Sequence, residues 1–598
     1  MSRSLLPFAL LMALPCAAQP VTVEIDMAPL LADNLVLTEG AEIGVRGDTA
    51  PLAWDRSLPL TDEDGDGIYA TTLDFPDGTG LVEYKAVVQA PDGELLWEPG
   101  DNRVLVPGRM DADRRAFSSP QTSLPVRTVS SRQLGEDLAL FRNALLALHP
   151  GLFLHNTETE LERASNRLAG QARALAQRYG EAIPVSEVYL MMSEAIAAIR
   201  DGHTQLNPYN QAAYTRATLF AQADRVPFAF RLVGDRMIVT GDATPSMALP
   251  TGTEVLSLDG QLISDVIETL MAYMSADGSN DGKRRNLLSV TGLPPAEAFD
   301  IVYALRYQPE GTLDLQLRLP DGTEADLTVP LVTRDARRAT LLERNPTLPR
   351  SDDDLLQFRI LEDDTAYLYI GSFATFQMET DYAAWLTGAF RQMNERGAER
   401  LVVDLRGTPG GMDEAAALLF SHLLQEPVEV DFWSSTTAYD RMPDALRPHV
   451  RSWTSDFYDL TDRVTPNGDG TFSLRARPPI TVAPAPDAFR GRVAVLVDAA
   501  ASSATFYLAR QIKRTGAALL VGQETGGNLR GLNGGQIGFL TLPETGLVVD
   551  IPLFGSRPPE PGEDRGVLPD VLVEPDADAV IAGRDPELEA ALAALRSH

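Results

Sequence analysis

The sequence predicts a multidomain α+β protein, and three observations carry that expectation. The chain has 598 residues, too many for one core and enough for roughly three or four domains. Its patterning changes along its length: short alternating runs, then three- and four-residue spacing, then strand-like text, then strands alternating with helices. Its 44% hydrophobic and 23% charged content is that of a folded chain.

The opening "MSRSLLPFALLMALPCAAQP" reads as an export signal over residues 1–18, with Arg3 positive, Leu5 to Leu14 apolar and cleavage after Ala18. The run is too short to span a bilayer, and no longer one follows, so no membrane span is expected. Cys16, the only cysteine, leaves with the signal, and the mature chain then has no disulfide, thiol nucleophile or thiolate metal site. A lipid anchor at Cys16 is the weaker alternative, because Pro15 directly before it is a poor fit. A periplasmic or secreted location follows. The net charge of −33 argues against nucleic acid and anionic membrane surfaces as partners, since no basic patch is on offer.

Residues 19–115 hold "VTVEID", "AEIGVRG", "GIYATTLDF", "LVEYKAVVQ" and "NRVLVP" between Gly, Pro and Asp, the text of a β-sandwich. The segments "PLAWD", "DGDGIYATT", "EYKAVV" and "LLWEPGDNRVLVP" resemble a starch-binding or related carbohydrate-binding module. That resemblance implies Trp54, Trp97 and Lys85 as a sugar platform and a glycan as partner, an indole face stacking well on a pyranose. A purely structural or docking domain is the alternative. In "TDEDGDGIY", Asp62, Asp64 and Asp66 alternate like half a calcium loop. The twelfth position is Leu73 rather than a bidentate acid, so a polar hairpin turn is expected.

Residues 128–205 turn helical, with Leu138, Phe141, Leu145 and Leu148 at helical spacing. The last of these helices ends in "AAIRDGHTQLNP", leaving His203 just past an Asp-Gly turn. Residues 206–345 return to strands. "GTEVLSLDGQLISDVIETLMAYM" resembles the strand, turn and helix of a PDZ-like unit, and "TLDLQLRLPDGTEADLTVPLV" is a hairpin, so a PDZ-like or spacer domain is expected. After the connector "ERNPTLPRSDDD", residues 352–575 alternate strands and helices, which predicts an α/β core with a buried sheet. Residues 576–598 predict a C-terminal helix.

Two segments of that core can carry chemistry. "VAVLVDAAASSATFYLARQIK" is a strand, a small-residue turn and a helix, presenting Ser502 and Ser503 beside helix N-terminal N–H groups that suit an oxyanion. Serine is also a common N-cap, so this alone is weak. "LVVDLRGTPGGMDEAA" supplies Gly407, Gly410 and Gly411, whose backbone can approach a ligand closely. No Gly-Lys-Ser/Thr follows and no G-x-S-x-G surrounds a serine, which argues against a phosphate loop and an α/β-hydrolase. Neither metal-ligand spacing nor a nucleotide loop is present, so no metal or organic cofactor is expected.

Six segments between about 130 and 575 occur in one family's order: "IRDGHTQL", "YLYIGSF", "VVDLRGTPGG", "SSATFYLARQIK", "VGQETGGNLRG" and "EDRGVLPDVLVEPD". Together they resemble the tail-specific or C-terminal processing serine peptidases, in the branch that includes the tricorn core protease. The resemblance implies a crotonase-like α/β catalytic domain with Ser503 as nucleophile. It implies the N–H of Ala504 and that of Gly410 or Gly411 as the oxyanion hole. Many such peptidases use a lysine twenty-five residues after the serine, where this chain has Asn528. Lys85, Lys283 and Lys513, the only lysines, do not match it. The branch's histidine base is matched by His203 and its glutamate by Glu563, with Asp564 and Asp201 left open. His149, His155, His422, His449 and His598 are expected in packing, loop or terminal roles. The implied activity is hydrolysis of a peptide or protein substrate through a Ser-His-Glu triad and an acyl-enzyme. The alternative is a non-catalytic ligand- or glycan-binding protein on the same fold.

Overall fold

The computed structural model describes residues 18–27, 41–91, 93, 95–98, 102–108, 110–117, 126–294, 296–361, 363–430, 433–475, 480–560 and 562–597. Residues 1–17 of the expected export signal, with Cys16, lie outside them. The chain forms two bodies, residues 1–125 with 212–221, and residues 126–211 with 222–598.

In the first body two sheets share one core. The strand Ala18–Asp26 lies between Ile68–Pro76, antiparallel, and Ala112–Ala116, parallel. In the other sheet Glu42–Gly47 pairs with Leu58–Pro59 and with Val82–Gln89, which also pairs with Leu95–Trp97 and Arg103–Leu105. Alternate residues of a strand face one way. So Val21, Val23 and Ile25 meet Ile43, Val45, Tyr84 and Ala86 in a single apolar layer. Asp62 closes the acidic hairpin turn by accepting the N–H groups of Gly65 at 2.8 Å and Gly67 at 3.0 Å. The helix Ala213–Leu219 belongs here too, with Ala213 and Tyr214 packed on Val104 and Val106. The stretch 206–345, expected as one domain, is therefore divided between the bodies.

The second body begins with helices Ser131–Leu148, Glu158–Tyr179 and Val185–Ala197. The first two start on capping boxes, Ser130 with Gln133 and Thr157 with Glu160, which satisfy the leading N–H groups. The third is apolar on most sides and buried, and Arg200, at φ +59, breaks its line just before Asp201. An antiparallel sheet follows in the order Phe228–Val233, Arg236–Asp242, Glu254–Leu258, Thr312–Arg318, Glu324–Pro330. Beside it the fully buried Arg337 is held by Glu297 at 2.8 Å and Asp300 at 2.5 Å.

The main sheet runs Leu356–Ile360, Ala366–Ile370, Arg400–Asp404, Arg492–Val497, Leu519–Gly522, Val571–Leu572, parallel after its first pair. Both faces are covered, which accounts for the unbroken apolar runs in its strands. Leu401, Val403, Val493 and Val495 face helices Tyr382–Glu395, Asp413–Leu423 and Ser503–Thr515. Val402, Ala494, Leu496 and Val521 face Ala591 and Leu595 of the helix Pro586–Ser597. The C-terminal segment is two helices rather than the one expected, Ala577–Ile581 and Pro586–Ser597. Gly583, at φ +66, ends the first and Pro586 starts the second. Arg406, at the end of a central strand, bridges Asp404 and Asp585, each at 2.6 Å.

Candidate active site

At the C-terminal end of Arg492–Val497 the chain turns through residues 498–502 into the helix Ser503–Thr515. Asp498, which burial pushes up in pKa, accepts the Gly407 N–H at 3.1 Å and the Ala500 N–H at 3.0 Å. It thereby ties the glycine loop to the serine turn. The two adjacent serines are separated by their surroundings. Ser502 has extended backbone, φ −131, and its Oγ donates to the Pro409 carbonyl at 2.9 Å. Ser503 sits at φ +50, rare for a residue with a side chain, and its hydroxyl has no hydrogen-bond partner among the described residues.

Gly410, at φ +121, passes so close that a Cβ there would lie 2.8 Å from the Ser503 Cβ and 3.2 Å from the Ala504 N. At Gly411, φ +138, a Cβ would lie 2.1 Å from the Phe373 carbonyl carbon. The glycine loop is pinned by Phe373, whose N–H donates to Gly410 O at 3.0 Å and whose O accepts the Met412 N–H at 2.8 Å. The N–H groups of Gly410 and Ala504 have no partner among the described residues. An unengaged hydroxyl beside unengaged backbone donors is what attack on a carbonyl requires.

His203 lies on a loop organised by Asp201, which is 1% exposed. Asp201 Oδ1 accepts the N–H groups of His203 at 2.7 Å and Thr204 at 3.1 Å. Its Oδ2 accepts from Asn533 Nδ2 at 2.5 Å and stands 3.0 Å from His149 Nε2. His149 Nδ1 accepts the Gly151 N–H, so its proton is assigned to Nε2, facing the carboxylate. Burial alone would raise the Asp201 pKa, but the hydrogen bond from His149, with that from the His203 N–H, holds it well below the usual carboxylate range.

The His203 ring is half-buried, and its Nδ1 is buried without a partner. Asp277, 1% exposed, accepts the Gly202 N–H on Oδ1 at 2.9 Å, while its Oδ2 is buried without a partner. A ring nitrogen of His203 and one carboxylate oxygen each from Asp201 and Asp277 lie within 4.8 Å of one another. Gly534 flanks the ring; a Cβ there would lie 3.2 Å from Cε1 and Nε2.

One loop, residues 277–283, touches both the histidine and the serine turn. Asp277 meets Gly202, and Gly282 abuts Ala499, its Cβ position 3.4 Å from that residue's Cβ. Lys283 is buried against Gly526, whose N–H donates to Ala501 O at 2.7 Å. Burial pushes the Lys283 amine down while Asp277 and Asp201 pull it back up. Sequence reasoning does not single out Asp277, and it names Lys283 only as a lysine that does not match the base position. Their segment, "ADGSNDGK", carries only turn signals, and nothing local marks it as facing a histidine.

Glu563 is the residue implied as the triad acid. Its side chain is 78% exposed and 3.7 Å from Arg565, and among the described residues no hydrogen bond or ion pair joins it to His203. Its neighbour Asp564 accepts from Asn528 Nδ2 at 2.7 Å and Ser279 Oγ at 3.0 Å, and stands 3.6 Å from His155 Nδ1. Asn528, buried where the resemblance has a lysine, also donates to the Asp277 carbonyl at 3.4 Å. In the first body, Trp54 and Trp97 are 38% and 37% exposed, with ring centroids 6.3 Å apart and the Arg46 guanidinium 5.5 Å over Trp97. The half-buried Lys85 pairs with Arg46 across neighbouring strands.

Residues 364–573 match the model of peptidase family S41. No curated protein matches the chain. A mutant of CPAF aligns at 16% identity over 78% of this chain and 97% of its own, with a TM-score of 0.51, a likeness of fold. The photosystem II D1 C-terminal processing protease aligns at 14% identity over 75% of this chain and 96% of its own, with a TM-score of 0.35. The tricorn protease aligns at 16% identity over 88% of this chain and 42% of its own, with a TM-score of 0.33. The matched region takes in the glycine loop and the serine turn, so residues 364–573 form a domain of the peptidase family S41 type, that of a serine-type peptidase.

Proposed function

We propose that the protein is an exported peptidase in which Ser503 attacks the carbonyl of a peptide or protein substrate and His203 accepts its proton. The oxyanion that forms takes hydrogen bonds from the Ala504 and Gly410 N–H groups. His203 then gives the proton to the departing amine, the acyl-enzyme is left on Ser503 Oγ, and water hydrolyses it by the reverse sequence. The observation that carries this is the contrast between the two serines. Ser502 is hydrogen-bonded to Pro409, while Ser503 is held at positive φ with its hydroxyl unengaged beside Gly410 and Ala504. The leader-like text of residues 1–18 supports export to the periplasm or beyond. Among the described residues no helix is long and apolar enough to cross a membrane.

Fluorophosphonate labelling of the mature protein, with the modified peptide mapped by mass spectrometry, tests this reading. An adduct on Ser503 that Ser503→Ala and His203→Ala abolish supports it. A folded protein that takes no label, or takes it elsewhere, overturns it and favours the non-catalytic alternative. A second role, glycan binding by the first body, is favoured by the exposed Trp54–Trp97 pair. Retention of the mature protein on insoluble starch, lost in Trp97→Ala, tests it.

A further inference from the structure

We infer that Asp277, rather than Glu563, is the positioning residue that orients His203, an inference that rests on the serine–histidine reading above. A buried polar atom without a partner is uncommon and costly, because it has given up water and gained nothing. Two such atoms occur on neighbouring side chains here, Nδ1 of His203 and Oδ2 of Asp277. One is a donor in the tautomer that leaves Nε2 free to accept a proton, and the other is an acceptor. Each is the partner the other lacks. The two residues are held in place without that bond, Asp277 by the Gly202 N–H on Oδ1 and His203 by its own N–H on Asp201. A ring nitrogen of His203 and a carboxylate oxygen of Asp277 already lie within 4.8 Å of each other.

The other carboxylates near the ring are already engaged. Both oxygens of Asp201 are occupied, by His203 and Thr204 on one side and by Asn533 and His149 on the other. That also disfavours reading Asp201, His203 and Asp277 as a cation site, since only two of the three have a free donor atom. Glu563 is 78% exposed and Asp564 is hydrogen-bonded to Asn528 and Ser279. Among the described residues, Asp277 alone combines burial, proximity and a free oxygen. Its loop is fixed from behind by Asn528, and the same loop reaches the serine turn through Lys283 and Gly526.

The test compares wild type with Asp277→Asn, Asp277→Glu and Glu563→Gln. Asparagine keeps the acceptor for the Gly202 N–H and removes the charge. The rate of fluorophosphonate labelling of Ser503 should fall at least 100-fold in Asp277→Asn, recover in part in Asp277→Glu and stay within threefold in Glu563→Gln. Proton NMR supplies a readout independent of catalysis. A downfield imidazole Nδ1–H resonance should be present in wild type and in Ser503→Ala and absent in Asp277→Asn, with melting temperatures unchanged. Labelling that survives in Asp277→Asn, or fails equally in Glu563→Gln, overturns the inference. A wild type that shows the resonance but takes no label would sink the peptidase mechanism while leaving the His203–Asp277 pair standing.

Discussion

Gly410 and Ser503 approach so closely that the glycine has no room for a side chain: a Cβ would sit 2.8 Å from the Ser503 Cβ. Gly410 is also at φ +121, where any L-residue is strained. Gly410→Ala should therefore lower Ser503 labelling at least 100-fold and cost about 1–3 kcal/mol of stability. Urea unfolding beside the labelling assay would check both. A wild-type labelling rate would remove Gly410 from the oxyanion hole.

Ser502→Ala and Ser503→Ala should behave oppositely. Loss of the Ser502 hydroxyl leaves the Pro409 carbonyl one donor short, at about 1 kcal/mol, and should leave labelling largely intact. Loss of the Ser503 hydroxyl should abolish labelling with little change in melting temperature. If Ser502→Ala is the silent variant, the nucleophile is one residue earlier than proposed.

Gly534→Ala should slow labelling about 10-fold or more while the protein stays folded. The added methyl would press on His203 Cε1 and Nε2 at 3.2 Å, so the ring must shift from the position in which the proposed mechanism has it take the serine's proton. Unaltered kinetics would show that the ring has slack on that side.

Asp550 offers a pH test of stability. Burial pushes its pKa up to about 6, against the opposing effect of hydrogen bonds from Asn207 and Asn210. The folded pKa lies above the unfolded value of about 4, so the protonated form is the one that folding favours. That contribution is complete below about pH 4 and is lost as pH rises through about 6. Asp550→Asn should remove it. The difference in unfolding free energy between wild type and variant, read from urea titrations, should favour the variant increasingly from pH 4.5 to pH 7.5, by up to about 2 kcal/mol. A pH-independent difference would mean that Asp550 stays ionised throughout.

Arg337, fully buried between Glu297 and Asp300, should tolerate no apolar replacement made alone. Arg337→Met leaves two carboxylates facing each other without a cation and should cost about 3–5 kcal/mol in denaturant unfolding. A loss below about 1 kcal/mol would show that the carboxylates find protons instead.

What the sequence displayed of the site depended on how local the signal was. Ser503, Gly410 and Gly411 stand at strand-to-helix junctions, and strand, small residues and helix are adjacent in the text. Asp277 reaches Gly202 across 75 positions, and a turn sequence does not record what it folds against. Glu563 came from motif position alone, which says nothing of where the side chain points. The same limit applies to the fold. Strand periodicity marked the sheets of both bodies, but nothing in residues 212–221 announces that Ala213 and Tyr214 pack with Val104 and Val106. The break of the last helix was legible at Gly583 and Pro586 and was passed over because the Ala/Leu pattern runs across it.

The helix Pro586–Ser597 is made after every strand of the sheet whose back it covers. Until it emerges, Val402, Ala494, Leu496 and Val521 have no cover, and Arg406, four residues before Gly410, lacks Asp585. A nascent chain carrying the complete serine turn is therefore still an unfinished peptidase. Its backing follows the last strand of the sheet, so the cell that makes it holds an incomplete hydrolase until translation has passed that strand.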